Sequence, residues 1–389
     1  MSDIDNEGFV EAEQSGFTAG ERLEPETSEL QPRDSDLRWG IFAVQPELIL
    51  RSTFSDNIHQ DHSKKPDFST GLEGRIQATT DTSRHELAID VAFLKTAFHS
   101  SNKKETMDYS TRVDGRLDIT SRQAIEGGLA LTRENGSGSR IRREDILETA
   151  AHIGLRQRFN RLTISLRGEV LDHEDQNSSS NDYQEIGGRL TGNYELRSGY
   201  ALGIETNFHR RNDKIVPGSG GNRSRAKFTS ILAGIDIVNE KPVQGSFRAG
   251  YGWSEDTDPS AGKLEGIVVE GNLTWRPTRL TMLQLAGSTE ISGTSDPSNG
   301  TSMDYLLTLN LDHALTRHFL LSANVESEFN RYRDTGNMDR TLTYTLAGEY
   351  ELNRRLAIVG TASHKTFNSI DGLGDYRENQ LSLAMRVKQ

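Results

Sequence analysis

Charged side chains recur at intervals of two residues along this chain, as in Glu73 and Arg75, in Arg112, Asp114 and Arg116, and in Arg167 and Glu169. Residues two apart in an extended strand share a face, so this spacing lays cations and anions in rows. Rows of fixed charge attract, repel and order ions; they break no bonds. Extending the same face along the neighbouring segments adds Asp90, Glu148, Arg156, Glu185, Arg189, Glu195, Glu205, Arg248, Glu270 and Arg386. Two roles are open to these residues. They line a water-filled path and set its selectivity, or they form a lattice of cross-strand ion pairs that stiffens a wall.

Bond-breaking chemistry has weaker candidates. His152 stands four residues after Glu148 and His209 four after Glu205, so either could join a serine in a hydrolase-like site. Neither lies in a nucleophile motif, and histidine is ordinary on a polar face, so no catalytic residue is assigned. Asp172, Glu174 and Asp175, and separately Asp256 and Asp258, fall in polar stretches where Ca²⁺ could bind or lipopolysaccharide be bridged through divalent ions. Their spacing lacks the fixed ligand pattern of a calcium loop. The glycine-rich stretches at 136–139 and 218–221 follow no strand-to-helix context, which leaves a phosphate cradle without support. The chain has no cysteine, removing thiolate, disulfide and Cys-ligated zinc chemistry. Neither a metal nor a cofactor is expected.

The elements that must hold the charged rows are plainest at residues 341–362. Leu342, Tyr344, Leu346, Gly348, Tyr350 and Leu352 share one face, and Thr343, Thr345, Ala347, Glu349 and Glu351 the other. After Asn353-Arg354-Arg355 the alternation resumes with Leu356, Ile358, Gly360 and Ala362 on the apolar side, so the segment reads as a hairpin of two long strands. The same pattern recurs from Trp39 to the end of the chain, giving about eighteen strands of roughly 9 to 13 residues, long enough for a tilted membrane crossing. Register is ambiguous at 228–237 and 280–286, where both parities carry apolar residues. Short connections such as LRSG and LNRR alternate with polar stretches such as SDNIHQDHSKKPD. Long strands, alternating short and long connections and an even strand count predict an all-β fold, a transmembrane antiparallel up-and-down β-barrel. A propeller, the soluble rival, uses shorter strands in groups of four. Phe159, Tyr194, Tyr200, Trp275, Phe319 and Tyr350 fall beside short turns, and Phe93, Phe208, Tyr251, Trp253 and Phe329 near long connections, where two interfacial girdles belong.

Composition agrees. Only 33% of the 389 residues are hydrophobic and mean hydropathy is −0.64, little for a large soluble core but enough for a wall that is apolar on alternate positions. No run of about 18 apolar residues exists, which excludes a transmembrane helix. Residues 1–37 hold eleven Asp and Glu against two Arg and account for most of the net charge of −12. They read as a disordered acidic segment, either a solvated leader or a docking tail for a periplasmic export partner, ahead of a barrel over residues 38–389. The remainder is nearly neutral, which argues against nucleic acid as a partner. The first residues lack the basic-then-apolar pattern of an export signal, so the signal that an exported barrel needs is expected upstream of Met1.

PELILRSTFSDNI at 46–58, followed by repeated long hairpins, resembles the bacterial putative beta-barrel porin 2 family. The resemblance covers residues 39–389 and implies an outer-membrane barrel in contact with lipid and lipopolysaccharide; some members resemble components encoded with exopolysaccharide export systems. No functional residue transfers. The expected function is a channel for hydrophilic solutes, with polysaccharide export as the narrower form. The alternative is a structural or surface-interaction barrel whose lumen is blocked by salt bridges.

Overall fold

The computed structural model describes residues 37–389 except 81, 83, 101–104, 136–144, 178–181, 215–224, 238–241, 257–263, 294–300, 333–337 and 370–373. The acidic segment, Asp258 and both glycine-rich stretches therefore lie outside or largely outside the described residues. The strands are β1 (Leu37–Trp39), β2 (Phe42–Ser55), β3 (Asp67–Thr80), β4 (His85–Phe98), β5 (Thr106–Thr120) and β6 (Gln123–Asn135). Next come β7 (Asp145–Phe159), β8 (Leu162–Asp175), β9 (Tyr183–Arg197), β10 (Tyr200–Asp213), β11 (Arg225–Ile237) and β12 (Val243–Asp256). The chain continues through β13 (Glu265–Thr278), β14 (Thr281–Gly293), β15 (Thr301–Thr316) and β16 (Phe319–Tyr332). It ends with β17 (Met338–Asn353), β18 (Leu356–Asn368) and β19 (Tyr376–Lys388).

From β2 to β19 each strand pairs antiparallel with the next, and β19 returns to β2 through Leu381↔Phe54 to Lys388↔Glu47. The result is a closed barrel of eighteen strands. The extra strand, β1, folds back on the start of β2 across Gly40, whose φ of +63° suits the turn. Around all but one stretch of the wall, closure satisfies strand backbone groups without a free edge, the condition for crossing lipid with strands.

Strands β2 to β19 run 13 to 16 residues, longer than the sequence periodicity suggested. They continue past the apolar zone into polar rims where alternation of hydrophobic residues is no longer required. Asp172, Glu174 and Asp175 accordingly belong to the end of β8, and Asp256 to the end of β12, not to loops. Short and long connections alternate throughout, and several short turns carry a bulge, as at Tyr200/Ala201 and Asp118/Thr120.

Exposure separates the two faces. Leu129, Ile153, Ile267 and Leu383 are over 60% exposed and stand on the outward parity of their strands. The glycine at 74 lies beneath one outward aromatic: a Cβ there would meet the Phe93 ring at 2.4 Å, so the ring covers the bare backbone. Residues on the opposite parity are crowded by curvature; Ile49, Val359 and Ala384 form a small apolar seam on the inner face where the ends of the chain meet. At the ambiguous stretch 228–237, Phe228 and Leu232 prove to be the inward residues and Ile231 the outward one.

One ladder is incomplete. β13 and β14 pair from Gly271↔Gly287 to Thr278↔Thr281, whereas Glu265 to Glu270 have no ladder partner on β14. On either side the ladders β12–β13 and β14–β15 continue to the long-connection end. The wall therefore forks at Glu270.

The charged inner face of the barrel

All seventeen charged candidates lie on the inward parity. Arg75 reaches from β3 to Asp90 on β4, where the carboxylate accepts from Nε at 3.0 Å and Nη2 at 2.6 Å, and also from Gln77 at 2.9 Å. Arg112 pairs with Asp114 at 2.7 Å along its own strand, and Arg116 with Asp118 at 3.0 Å. Arg51 meets Glu73 at 3.7 Å, Arg156 meets Glu126 at 3.2 Å and Arg167 meets Glu169 at 3.7 Å. Arg386 pairs with Glu349 and lies 3.5 Å from Glu47, across the closing junction. Glu148 accepts a contact from His173 at 2.9 Å. Only Glu185 and Glu195 of the candidates make no ion pair among the described residues.

The densest cluster spans β9 to β13. Arg189 lies 3.6 Å from Glu205 and 3.8 Å from Glu270, and donates to Asn207 at 3.0 Å. Arg248 donates to Asp236 at 2.9 Å and approaches Glu205 at 3.8 Å. Glu205 and Asp236 are almost fully buried. The Arg189–Glu270 contact is informative because of where the two residues sit. Following the ladder, Arg189 is level with Asn207, Ser230, Gly252 and Gly266. Glu270 is four strands and four residues away, roughly 23 Å along the sheet. A circular barrel of eighteen tilted strands would be roughly 36 Å across, and on so gentle an arc these side chains could not touch. The wall must turn a sharp corner here. Glycines permit it: a Cβ at Gly234 would lie 1.9 Å from the Phe247 carbonyl oxygen and one at Gly250 1.8 Å from that of Ile231.

The histidines are placed differently from the sequence expectation. His152 faces Asp114 at 3.9 Å rather than Glu148, and His209 faces Glu169 at 3.4 Å rather than Glu205. Each carboxylate lies two strands away, across a glycine on the strand between: Gly128 separates Asp114 from His152 and Gly187 separates Glu169 from His209, and the missing side chain lets the pair meet over the intervening strand. His173, which no sequence pattern singled out, stacks on Tyr183 at 4.4 Å, and Arg211 covers the other part of that ring at 3.6 Å. At the rim, Lys214 sits 2.8 Å from Asp172 and 3.1 Å from Glu174, so an ammonium occupies the place proposed for a divalent ion. Burial lowers the Lys214 pKa, but the hydrogen bonds to both carboxylates outweigh it and raise the value above the ordinary one. No group of three or more metal-binding side chains occurs among the described residues. Asp118, Glu126, Asp236, Glu47 and Glu349 complete the pairs and were missed as candidates, although their parity alone would have found most of them.

A family profile described as Putative beta-barrel porin 2 matches residues 35–389. The chain belongs to that family. This porin-like barrel is also similar in fold to solved structures. OpdK of Pseudomonas aeruginosa, solved with vanillate, is 12% identical, with 89% of this chain and 99% of that one covered and a TM-score of 0.45. OccK2 (OpdF) of the same organism is 12% identical over 89% and 97%, with a TM-score of 0.48. The FrpB iron transporter of Neisseria meningitidis is 8% identical over 84% of this chain and 62% of its own, with a TM-score of 0.48. No curated protein matches.

Proposed function

We propose that this porin-family barrel lies in a bacterial outer membrane and conducts small hydrophilic solutes through a lumen whose paired charged rows bias which ions pass. The observation that carries the reading is the division of faces: all seventeen charged candidates point inward, while the outward parity carries Leu129, Ile153, Leu166 and Leu383. Charge on the lipid side would cost about 2 to 4 kcal/mol per Arg at the midplane, and a wall so charged inside holds water. Outer-membrane lipid and lipopolysaccharide are then the surroundings. Polysaccharide export and a dedicated periplasmic partner find no support in the family, and the segment 1–37, for which a docking role is one alternative, lies almost wholly outside the described residues.

A second reading is favoured by the corner at β9 to β13. There the charges are consumed in ion pairs, Arg248 with Asp236 on the adjoining strand and Arg189 with Glu270 across the corner, as a stiffened and partly blocked barrel requires. Planar-bilayer recording separates the two. A conducting protein gives steps whose cation-to-anion preference shifts toward cations when Arg112 and Arg116 are both replaced by Ala, leaving Asp114 and Asp118 in excess. Silent bilayers from folded protein establish the blocked barrel instead.

A further inference from the structure

Above the fork at Glu270, β13 is held by side chains in place of a ladder. The Val269 N–H donates to Thr289 Oγ1 at 3.1 Å, the Tyr305 hydroxyl donates to the Ile267 carbonyl at 3.4 Å, and Arg331 Nη2 donates to the Glu265 carbonyl at 3.2 Å. Thr289, Tyr305 and Arg331 come from β14, β15 and β16 in turn, and all three stand on the outward parity of their strands. The inward side of β13 meets the same surface: a Cβ at Gly266 would lie 2.9 Å from Met303 Sδ. Met303 is an outward residue of β15 with no exposed surface, because Leu232, Leu264 and Val268 pack on it with Tyr305 beside them. Inner-face residues of β11 and β13 thus cover outer-face residues of β15. The wall here is a lap joint, two layers thick.

We propose that this joint is a lateral portal that takes the alkyl chain of an amphiphile from the surrounding lipid leaflet. The layers meet through Leu232, Leu264, Val268 and Met303, all buried, with Tyr305 packed against them, whereas the inner face around Arg75 and Arg112 carries charge. Its outer lip, Ile267, is 64% exposed on the lipid-facing surface. Three side-chain hydrogen bonds close it where an intact ladder would have bonded Glu265 to Glu270, so parting the layers costs far less than unzipping paired strands. An alkyl chain entering the joint replaces apolar contacts with apolar contacts, at the cost of the three side-chain hydrogen bonds that close it. The occupant is therefore a lipid-derived chain, not a sugar or a peptide strand.

The absence of cysteine makes the test clean. Full-length protein in liposomes is titrated with a dansyl-labelled undecanoate, read by fluorescence enhancement, as wild type and as Gly266→Cys/Met303→Cys closed by a short bis-methanethiosulfonate linker. Wild type is expected to bind saturably, the linked protein at least tenfold more weakly, and reductant to restore binding in the same sample. Ala323→Cys/Leu346→Cys, linked across the intact β16–β17 ladder, should bind as wild type. Non-saturable partitioning in wild type, or undiminished binding after linking, overturns the proposal. So does a linked protein that keeps the probe but loses conductance, which would place the joint on the water path. Conductance of the wild type bears only on solute passage, so the two readings fail separately.

Discussion

Replacing Arg248 by Met tests whether the corner at β9 to β13 is a structural clamp. Arg248 donates to Asp236 at 2.9 Å and lies 3.8 Å from Glu205, and the side chains of these carboxylates are only 4% and 3% exposed. Methionine fills much of the space while removing the charge, so the loss measures two acids left facing each other. Breaking a buried pair costs about 3 to 5 kcal/mol. Arg189 remains 3.6 Å from Glu205 and partly compensates, and the lumen supplies some water, so the lower figure, about 3 kcal/mol, is expected. That is roughly a hundredfold in the folding equilibrium. Urea unfolding in phospholipid vesicles, followed by tryptophan fluorescence, measures it. Lys388→Ala is the internal comparison: its partner Glu351 is 3.6 Å away, both side chains are more than a third exposed, and the loss should stay below about 1 kcal/mol. Equal losses for the two variants refute the clamp. Adding Asp236→Asn to Arg248→Met should recover a large part of the loss, because the uncompensated acid is then neutral.

Two further outcomes follow from the wall and its rim. Leu383→Arg, on the outward parity, should destabilise by about 2 to 4 kcal/mol in vesicles, whereas Ser382→Arg, one residue away and inward, should cost less than half as much; reversed or equal effects would overturn the assignment of faces. Asp56, just beyond β2, accepts hydrogen bonds from the Asn379 N–H at 2.7 Å and Nδ2 at 2.6 Å. Partial burial raises its pKa, but these bonds outweigh that and hold it below the ordinary 3.8. The contribution is therefore present above 3.8 and is lost as pH falls through the lower folded value. Protection of the Asn379 amide against hydrogen exchange, taken relative to its intrinsic rate at each pH, should fall below that pH in the wild type and stay constant in Asp56→Asn; wild-type protection that is constant across the window would refute the link.

Strand identity and facing were legible because period two is a local property. The hairpin at 341–362 appears as β17 and β18 with Tyr350 opposite Ile358, and its outward residues are those the alternation named. Charge parity was equally legible, since the cost of placing Arg in lipid leaves one face. Pairing partners were not. Glu126 and Asp236 lie on adjoining strands, and which strand residue stands level with which depends on stagger that no single segment encodes. Curvature was also invisible: Arg189 and Glu270 meet through a corner made by backbone contact at Gly234 and Gly250, and glycine in a strand does not announce which way the sheet will bend. The lap joint did leave a trace. Ile267, Val268 and Val269 are apolar on both parities, as a strand covered on both faces requires, yet the same run reads as an ordinary strand when the wall is assumed to be one layer thick.

Corner and joint have a common mechanical origin. A closed sheet of fixed strand number has a fixed perimeter, set by strand spacing and tilt. Folding β9 to β13 tightly enough for Arg189 to reach Glu270 brings β13 in across the outer face of β15, so at the long-connection end the free ends of β13 and β14 overlap and do not meet edge to edge. The residue that makes the reach, Glu270, is also the last one before the ladder resumes at Gly271. Below it the short turn between Thr278 and Thr281 keeps the strands in register; above it no turn constrains them, and β13 slides over β14 and β15 until its backbone finds Thr289, Tyr305 and Arg331. The inner charges thus do more than colour the lumen. By holding the corner closed they keep the wall in two layers at one place, with an apolar contact between them.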